Sequence, residues 1–251
     1  MSDPGNGVLC FDGLPSDVGA LCGIVQGLLV HSDWIAAYGV SEEQFGSVSR
    51  ETLPLSARLK QLAELDAGVL TVERTADKRA VGTCRDYALM LCGMLRQQGV
   101  AARVRCGFAA YFTRPWEDHW ICEYRRDGRW MRADAQLDRI VASRLGIAFD
   151  LADLPEGMFV GADEAWRRCR SGHADPTTFG HGQEAVGLWF VRINVVRDHY
   201  SLNDRETSDW DTWRQAAAAY RVLSEAEIAE GDAIAACPQA PLAAMTLPWR
   251  T

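Results

Sequence analysis

The sequence predicts an α+β fold, and three observations carry that reading. A capped helix is spelled out over residues 83–98, a strand of period two follows it, and Asp127-Gly128 marks a hairpin that folds Trp120–Tyr124 back onto Trp130–Asp134. One helix followed by antiparallel strands, with helical patterns on both flanks, is the pattern of a segregated α+β domain.

In chain order, residues 14–38 read as a first helix. Pro15 and Ser16 start it, Leu21, Ile24, Val25, Leu28 and Leu29 form one apolar stripe, and Gly39 ends it. Leu55, Leu59, Leu62 and Leu65 share one face of a second helix over Leu55–Leu65, and the polar stretch Leu70–Gly82 reads as loop. Gly99 stops the third helix, residues 83–98, where a left-handed cap residue belongs. Val104, Cys106, Phe108, Ala110 and Phe112 then alternate with Arg103, Arg105, Gly107 and Tyr111, as a half-buried strand requires. The hairpin strands follow. Beyond about Gly146 the pattern gives a helix near Asp163–Arg170, a strand over Leu188–Val196, a helix around Trp210–Leu223 and a Pro/Ala-rich tail. Gly180-His181-Gly182 reads as a loop without the context of a dinucleotide fingerprint, and Arg197-Asp198-His199-Tyr200 as a cap on the preceding strand. The chain shows no internal repeat and no linker, so a single domain over 1–251 is expected.

Composition narrows the function. The 251 residues are 48% hydrophobic and carry a net charge of −8, which argues against nucleic acid and anionic membrane surfaces as partners. The most apolar run, Val18–Val30, is interrupted by Gln26 and is shorter than the roughly 20 residues of a membrane span. No basic segment precedes an apolar one near Met1, so a cytoplasmic address is expected, with the eight cysteines reduced. None of them forms a C-x-x-C pair, and His173 and His181 stand at no recognised ligand spacing, so no metal site and no cofactor is read.

One cysteine differs from the other seven. Thr83-Cys84-Arg85-Asp86 fits a capping box with Asp in place of Glu, which puts Cys84 at the first position of the third helix. Ala88, Leu91 and Leu95 share its face, so the thiol points inward from a helix N-terminus, where partial positive charge favours thiolate. His119 and Asp134 flank the Asp-Gly turn. If Asp127 and Gly128 form a two-residue loop, Arg126 pairs with Arg129, Asp134 lies opposite Ile121 and His119 opposite Gln136. A turn closed by Arg125 and Gly128 sets His119 directly across from Asp134. Both registers bring the two side chains out on one face of the sheet, as opposite or diagonal neighbours. A carboxylate on one imidazole nitrogen leaves the other free to take a proton from a thiol, the logic of a Cys–base–orienter set.

The run Gly82-Thr-Cys84-Arg-Asp-Tyr-Ala88, then Leu95-Arg96-Gln-Gln-Gly99-Val-Ala101-Ala-Arg103 and Gly107-Phe108, resembles the transglutaminase-like superfamily of cysteine enzymes. Asp118-His119-Trp120, Gly128-Arg-Trp130 and Ala133-Asp134-Ala135 resemble its later signatures. The resemblance covers residues 70–140. It implies a papain-like core, the Cys84 helix packed on an antiparallel sheet bearing His119 and Asp134, with helical N- and C-terminal additions and a family-specific elaboration over 146–251. It also implies Cys84 as nucleophile, His119 as base and Asp134 as orienter, with Asp138 a weaker rival for the third role. The expected chemistry is acyl transfer or amide hydrolysis through a thioester, on a peptide or small-molecule acyl donor with an amine or water as acceptor. The Cys84 amide and Trp34 are candidate oxyanion donors, and Tyr111 and Trp116 candidate substrate contacts. A coenzyme A-dependent N-acyltransferase is the alternative, disfavoured because Ala80-Val81-Gly82-Thr83 stands where an Arg-Gly-Gly lead-in is found. A non-catalytic interaction module is a further alternative, and no oxygen-rich loop suits calcium.

Overall fold

The structure, a computed structural model, describes residues 2–5, 11–41, 43, 54–205 and 222–241. Cys10 and nearly all of the helix expected over Trp210–Leu223 lie outside these residues. The chain divides into two compact units, residues 1–104 with 121–155, and residues 105–120 with 156–251. Helices and a mixed set of strands make an α+β architecture, as the sequence predicts.

In the first unit the expected helix over 14–38 is three elements. Helix α1, Val18–Leu28, starts at Asp17, whose carboxylate caps the Ala20 amide at 2.8 Å. At Leu29 the backbone turns extended, and strand β1, Leu29–His31, pairs in parallel with strand β2, Ala80–Gly82. Leu29, Val30, Ala80 and Val81 are all buried, so the pairing buries a run that one helical stripe would leave partly in water. A 3-10 helix, Ser32–Tyr38, follows and ends at Gly39 in the left-handed region. Helix α2, Leu55–Leu65, has the expected bounds. Helix α3, Cys84–Gln97, packs against α1 and α2, and every residue from Arg85 to Leu95 is buried, so it is enclosed on all faces rather than along one stripe. Gly99 has φ +77°, as its stop position requires.

Strand β3, Ala102–Ala109, and strand β4, Trp116–Arg126, each have residues in both units. Strand β5, Arg129–Ala133, returns from β4 through a two-residue loop with Asp127 at φ +51° and Gly128 at φ +77°. The register is Arg126↔Arg129 through Cys122↔Ala133, the first of the two alternatives. Helix α4, Arg139–Leu145, closes this unit, its start capped by Asp138.

The second unit pairs β3 with strand β6, Phe159–Gly161, antiparallel, and β4 with strand β7, Phe179–His181, in parallel; strand β8, Ala185–Val186, adds antiparallel to β7. The sheet is therefore mixed and not purely antiparallel, because β7 reaches β4 across a long connection. Gly180 and His181 belong to β7 and not to a loop. Helix α5, Ala162–Arg170, agrees with its expected span. The strand expected over Leu188–Val196 is instead part of helix α6, Leu188–Leu202. Residues 190–201 of α6 are buried without a break, and α6 packs against α5 and helix α7, Glu225–Ala236. A helix covered all round shows no 3.6-residue stripe, and its apolar run then looks like a buried strand. Arg197–Tyr200 accordingly lie inside α6 instead of capping a strand. Helix α7 carries its own signal, the capping box Ser224–Glu227. Phe108, Trp166, Phe179, Phe190 and Val195 are central to the core of this unit.

Candidate active site

The head of α3 is built by a short acid–base chain inside the first unit. The Asp86 carboxylate accepts the Thr83 N–H at 2.8 Å and the Thr83 hydroxyl at 3.3 Å, completing the expected capping box. Its other oxygen accepts from Arg58 Nη2 at 2.7 Å, with both side chains at or below 2% exposure. Arg58 Nη1 also donates to the Val81 carbonyl at 2.9 Å. One guanidinium from α2 therefore ties β2 to the first turn of α3, on both sides of Cys84. Little room is left at Gly82, since a Cβ would stand 3.0 Å from Asp86 Cβ and Oδ2 and press on the carboxylate.

Within this frame Cys84 is half-buried, as is Cys169 on α5, whereas Cys22, Cys92, Cys106 and Cys122 are buried and Cys237 is exposed; all seven are free thiols. Burial pushes the Cys22 thiol up to about 12, with the Asp134, Asp150 and Asp17 carboxylates adding to it. Burial likewise raises Cys169 to about 11 and Cys122 well above the ordinary range. Burial thus favours the neutral thiol at these three positions.

The β1–β2 register sets His31 beside Gly82, two residues before Cys84 in the chain. His31 Nδ1 accepts the Asp33 amide at 3.2 Å, which leaves the proton of a neutral imidazole on Nε2. His31 thus lies near the first turns of α3, its ring 6.5 Å from that of Tyr87, a placement absent from the sequence reading. The missed signal was the apolar Leu29-Val30 pair, read as helix, whose pairing with Ala80-Val81 is non-local. Trp34, half-buried in the 3-10 helix, lies three residues beyond the paired stretch.

Asp134 follows the last β4–β5 pair and is 1% exposed. Its amide donates to Leu151 O and its Oδ1 accepts the Gln136 amide, both at 2.8 Å, so the carboxylate is fixed by its own turn. Asp138 is committed elsewhere. It caps α4 through the Ile140 and Val141 amides and accepts the Tyr38 hydroxyl at 2.7 Å.

In the second unit His119 lies on β4 at 2% exposure. The Tyr111 ring meets its imidazole edge-on, with centroids 5.8 Å apart at 84°, and Phe112 does so at 4.9 Å and 62°. Tyr111 is therefore a direct neighbour of His119, and Phe112 joins it without having been singled out in the sequence. Trp116 instead stacks on Phe179 at 5.7 Å and 10° and packs against the core of this unit. Among the described residues no group of three or more His, Cys, Asp or Glu could hold a metal ion, and no helix is long and apolar enough to cross a membrane.

Residues 58–135 match the family model described as the transglutaminase-like superfamily. The matched stretch holds Cys84, His119 and Asp134 and leaves out β1, α6 and α7. No curated protein sequence matches the chain. Among solved structures, a provisionally assigned cysteine protease from Cytophaga hutchinsonii is similar at 20% identity and a TM-score of 0.30, over 56% of this chain and 38% of that one. The chain thus spans well under half the length of that protein. The match of residues 58–135 to the transglutaminase-like superfamily model supports a cysteine-dependent enzyme in general.

Proposed function

We propose that the protein transfers or hydrolyses an acyl group through a thioester on Cys84, with His119 as base and Asp134 as orienter. In this reading the Cys84 thiol gives its proton to His119, and sulfur attacks the carbonyl carbon of an amide or ester. His119 returns that proton to the leaving amine or alcohol as the C–N or C–O bond breaks, and water or a second amine then releases the acyl group. The negative oxygen of the tetrahedral intermediate needs donors. An amide at the first helical position has no intrahelical partner, so the Cys84 N–H suits that role, and His31 joins Trp34 as a side-chain candidate. The substrate class is a peptide or small-molecule acyl donor, with water or an amine as acceptor.

The observation that carries the reading is the contrast among the thiols. Among the described cysteines Cys84 alone stands half-buried at a capped helix head, while Cys169 is half-buried within α5 and burial favours the neutral thiol at Cys22, Cys122 and Cys169. The test is acetylation by p-nitrophenyl acetate at pH 7, resolved by site with peptide mass spectrometry. Wild type is expected to acquire acetyl on Cys84 ahead of the exposed Cys237, and His119→Ala to slow that step by about 100-fold or more. Acetylation of Cys84 no faster than Cys237, or indifference to His119→Ala, overturns the reading.

A further inference from the structure

The second unit contains buried charge that the proposed chemistry does not use. Arg197, on α6, is 7% exposed and is held by Asn194 Oδ1 at 2.6 Å, one helical turn earlier. Its Nη1 reaches both carboxylate oxygens of Asp118 at 3.2 Å, and its guanidinium lies over the Trp120 ring, 5.0 Å from the centroid. Asp118 and Trp120 are the two chain neighbours of His119. In a strand they project to the face opposite His119, so a single guanidinium grips the back of β4 at the rung that presents the imidazole forward.

The next residue of α6 repeats the device with the charges exchanged. Asp198 accepts from Arg105 on β3, Nε at 3.0 Å to one oxygen and Nη2 at 2.9 Å to the other, and from the Cys106 amide at 2.7 Å. Asp163 takes the same Arg105 Nη2 at 2.9 Å. Consecutive residues of one buried helix therefore hold β4 and β3. Buried ion pairs add little stability over apolar residues of equal volume, but they are directional and hold position. On the front of β4, Tyr111 and Phe112 hold the imidazole edge-on.

We infer that Arg197 is a positioning residue for His119: it fixes the strand from behind through Asp118 and Trp120, so that α6, outside the family-matched stretch, sets the alignment of the base. The inference rests on the role proposed for His119. A displacement of about 1 Å in a reacting group slows a reaction by up to roughly 100-fold, and that is the scale at stake.

The test measures Cys84 acetylation by p-nitrophenyl acetate against pH in wild type, Arg197→Met, Arg197→Lys and His119→Ala, together with the pH titration of the His119 ring by NMR. Arg197→Met is expected to slow acetylation at pH 7 by at least tenfold and to shift the His119 titration, with Arg197→Lys recovering part of the rate. Lysine restores the charge opposite Asp118 but not the planar stack on Trp120. An unchanged rate and an unchanged His119 titration in folded Arg197→Met overturns the inference. If Arg197→Met does not fold, Asp118→Asn substitutes for it, and the absence of any shift there is equally decisive against it. His119→Ala separates the two claims: a wild-type rate in that variant removes the base itself, whereas a slow rate there with a normal one in Arg197→Met removes only the clamp.

Discussion

Asp86→Ala tests whether the head of α3 is held by the buried Arg58–Asp86 pair. The substitution removes two things at once. The capping half is worth about 1 kcal/mol, from the Thr83 N–H left without its 2.8 Å acceptor. The larger part is the Arg58 guanidinium, whose side chain is 2% exposed and would keep, among the described residues, the Val81 carbonyl and Gln61 as acceptors. An uncompensated buried charge costs about 3–5 kcal/mol, so the expected loss is about 4–6 kcal/mol. With a urea slope of about 3 kcal/mol per molar, the midpoint falls by roughly 1.3–2 M. Urea unfolding followed by far-UV circular dichroism measures this, and Cys84 acetylation should slow in parallel as the first turn of α3 loosens. Arg58→Met in the Asp86→Ala background removes the stranded charge, so the double variant should recover about 2 kcal/mol of the sum of the singles. A loss below about 1 kcal/mol for Asp86→Ala, or strict additivity in the double variant, refutes the argument that this pair anchors the helix head.

Two further predictions concern the same interior. Because burial raises Cys22 from 9.0 to about 12, the folded state favours its neutral thiol. That contribution is complete below about pH 9 and is lost as pH climbs towards 12, up to about 4 kcal/mol in all. Urea midpoints should therefore drop steeply between pH 9 and 11, and less steeply in Cys22→Ala; equal slopes would show that the thiol has no part in it. The second concerns Gly107. A Cβ there would sit 2.2 Å from the Val160 carbonyl oxygen and 2.6 Å from Phe159 Cζ, on the facing strand β6. Gly107→Ala should destabilise the second unit by about 3 kcal/mol, visible in tryptophan fluorescence melts, and a wild-type melt would contradict the tight β3–β6 approach.

Local chemistry accounts for what was legible. Thr83, Asp86 and Gly99 mark the two ends of α3 because capping and left-handed stops act within a few residues, and Asp127-Gly128 sets the β4–β5 register for the same reason. The α2 bounds follow from leucines at helical spacing on a half-exposed surface. Where burial is complete, that signal fails. Helix α6 is enclosed on every side over residues 190–201, so its apolar run carries no period and reads as strand. Strand β1 was hidden because its partner β2 lies about 50 residues further along the chain, and propensity alone continues α1 through it.

The residues proposed for catalysis divide in the same way. Cys84 at a helix head, and His119 and Asp134 on either side of one turn, are local facts that sequence alone determines, because each depends on spacing within a single element or hairpin. Their surroundings are decided by the tertiary structure. His31 comes beside Gly82 only through a parallel pairing, and Phe112 meets His119 only once β4 is formed. Arg197 reaches Asp118 across 79 residues of sequence. Contacts between distant residues form when burial and hydrogen-bond satisfaction are met for the whole unit together, and no short window of sequence contains that condition.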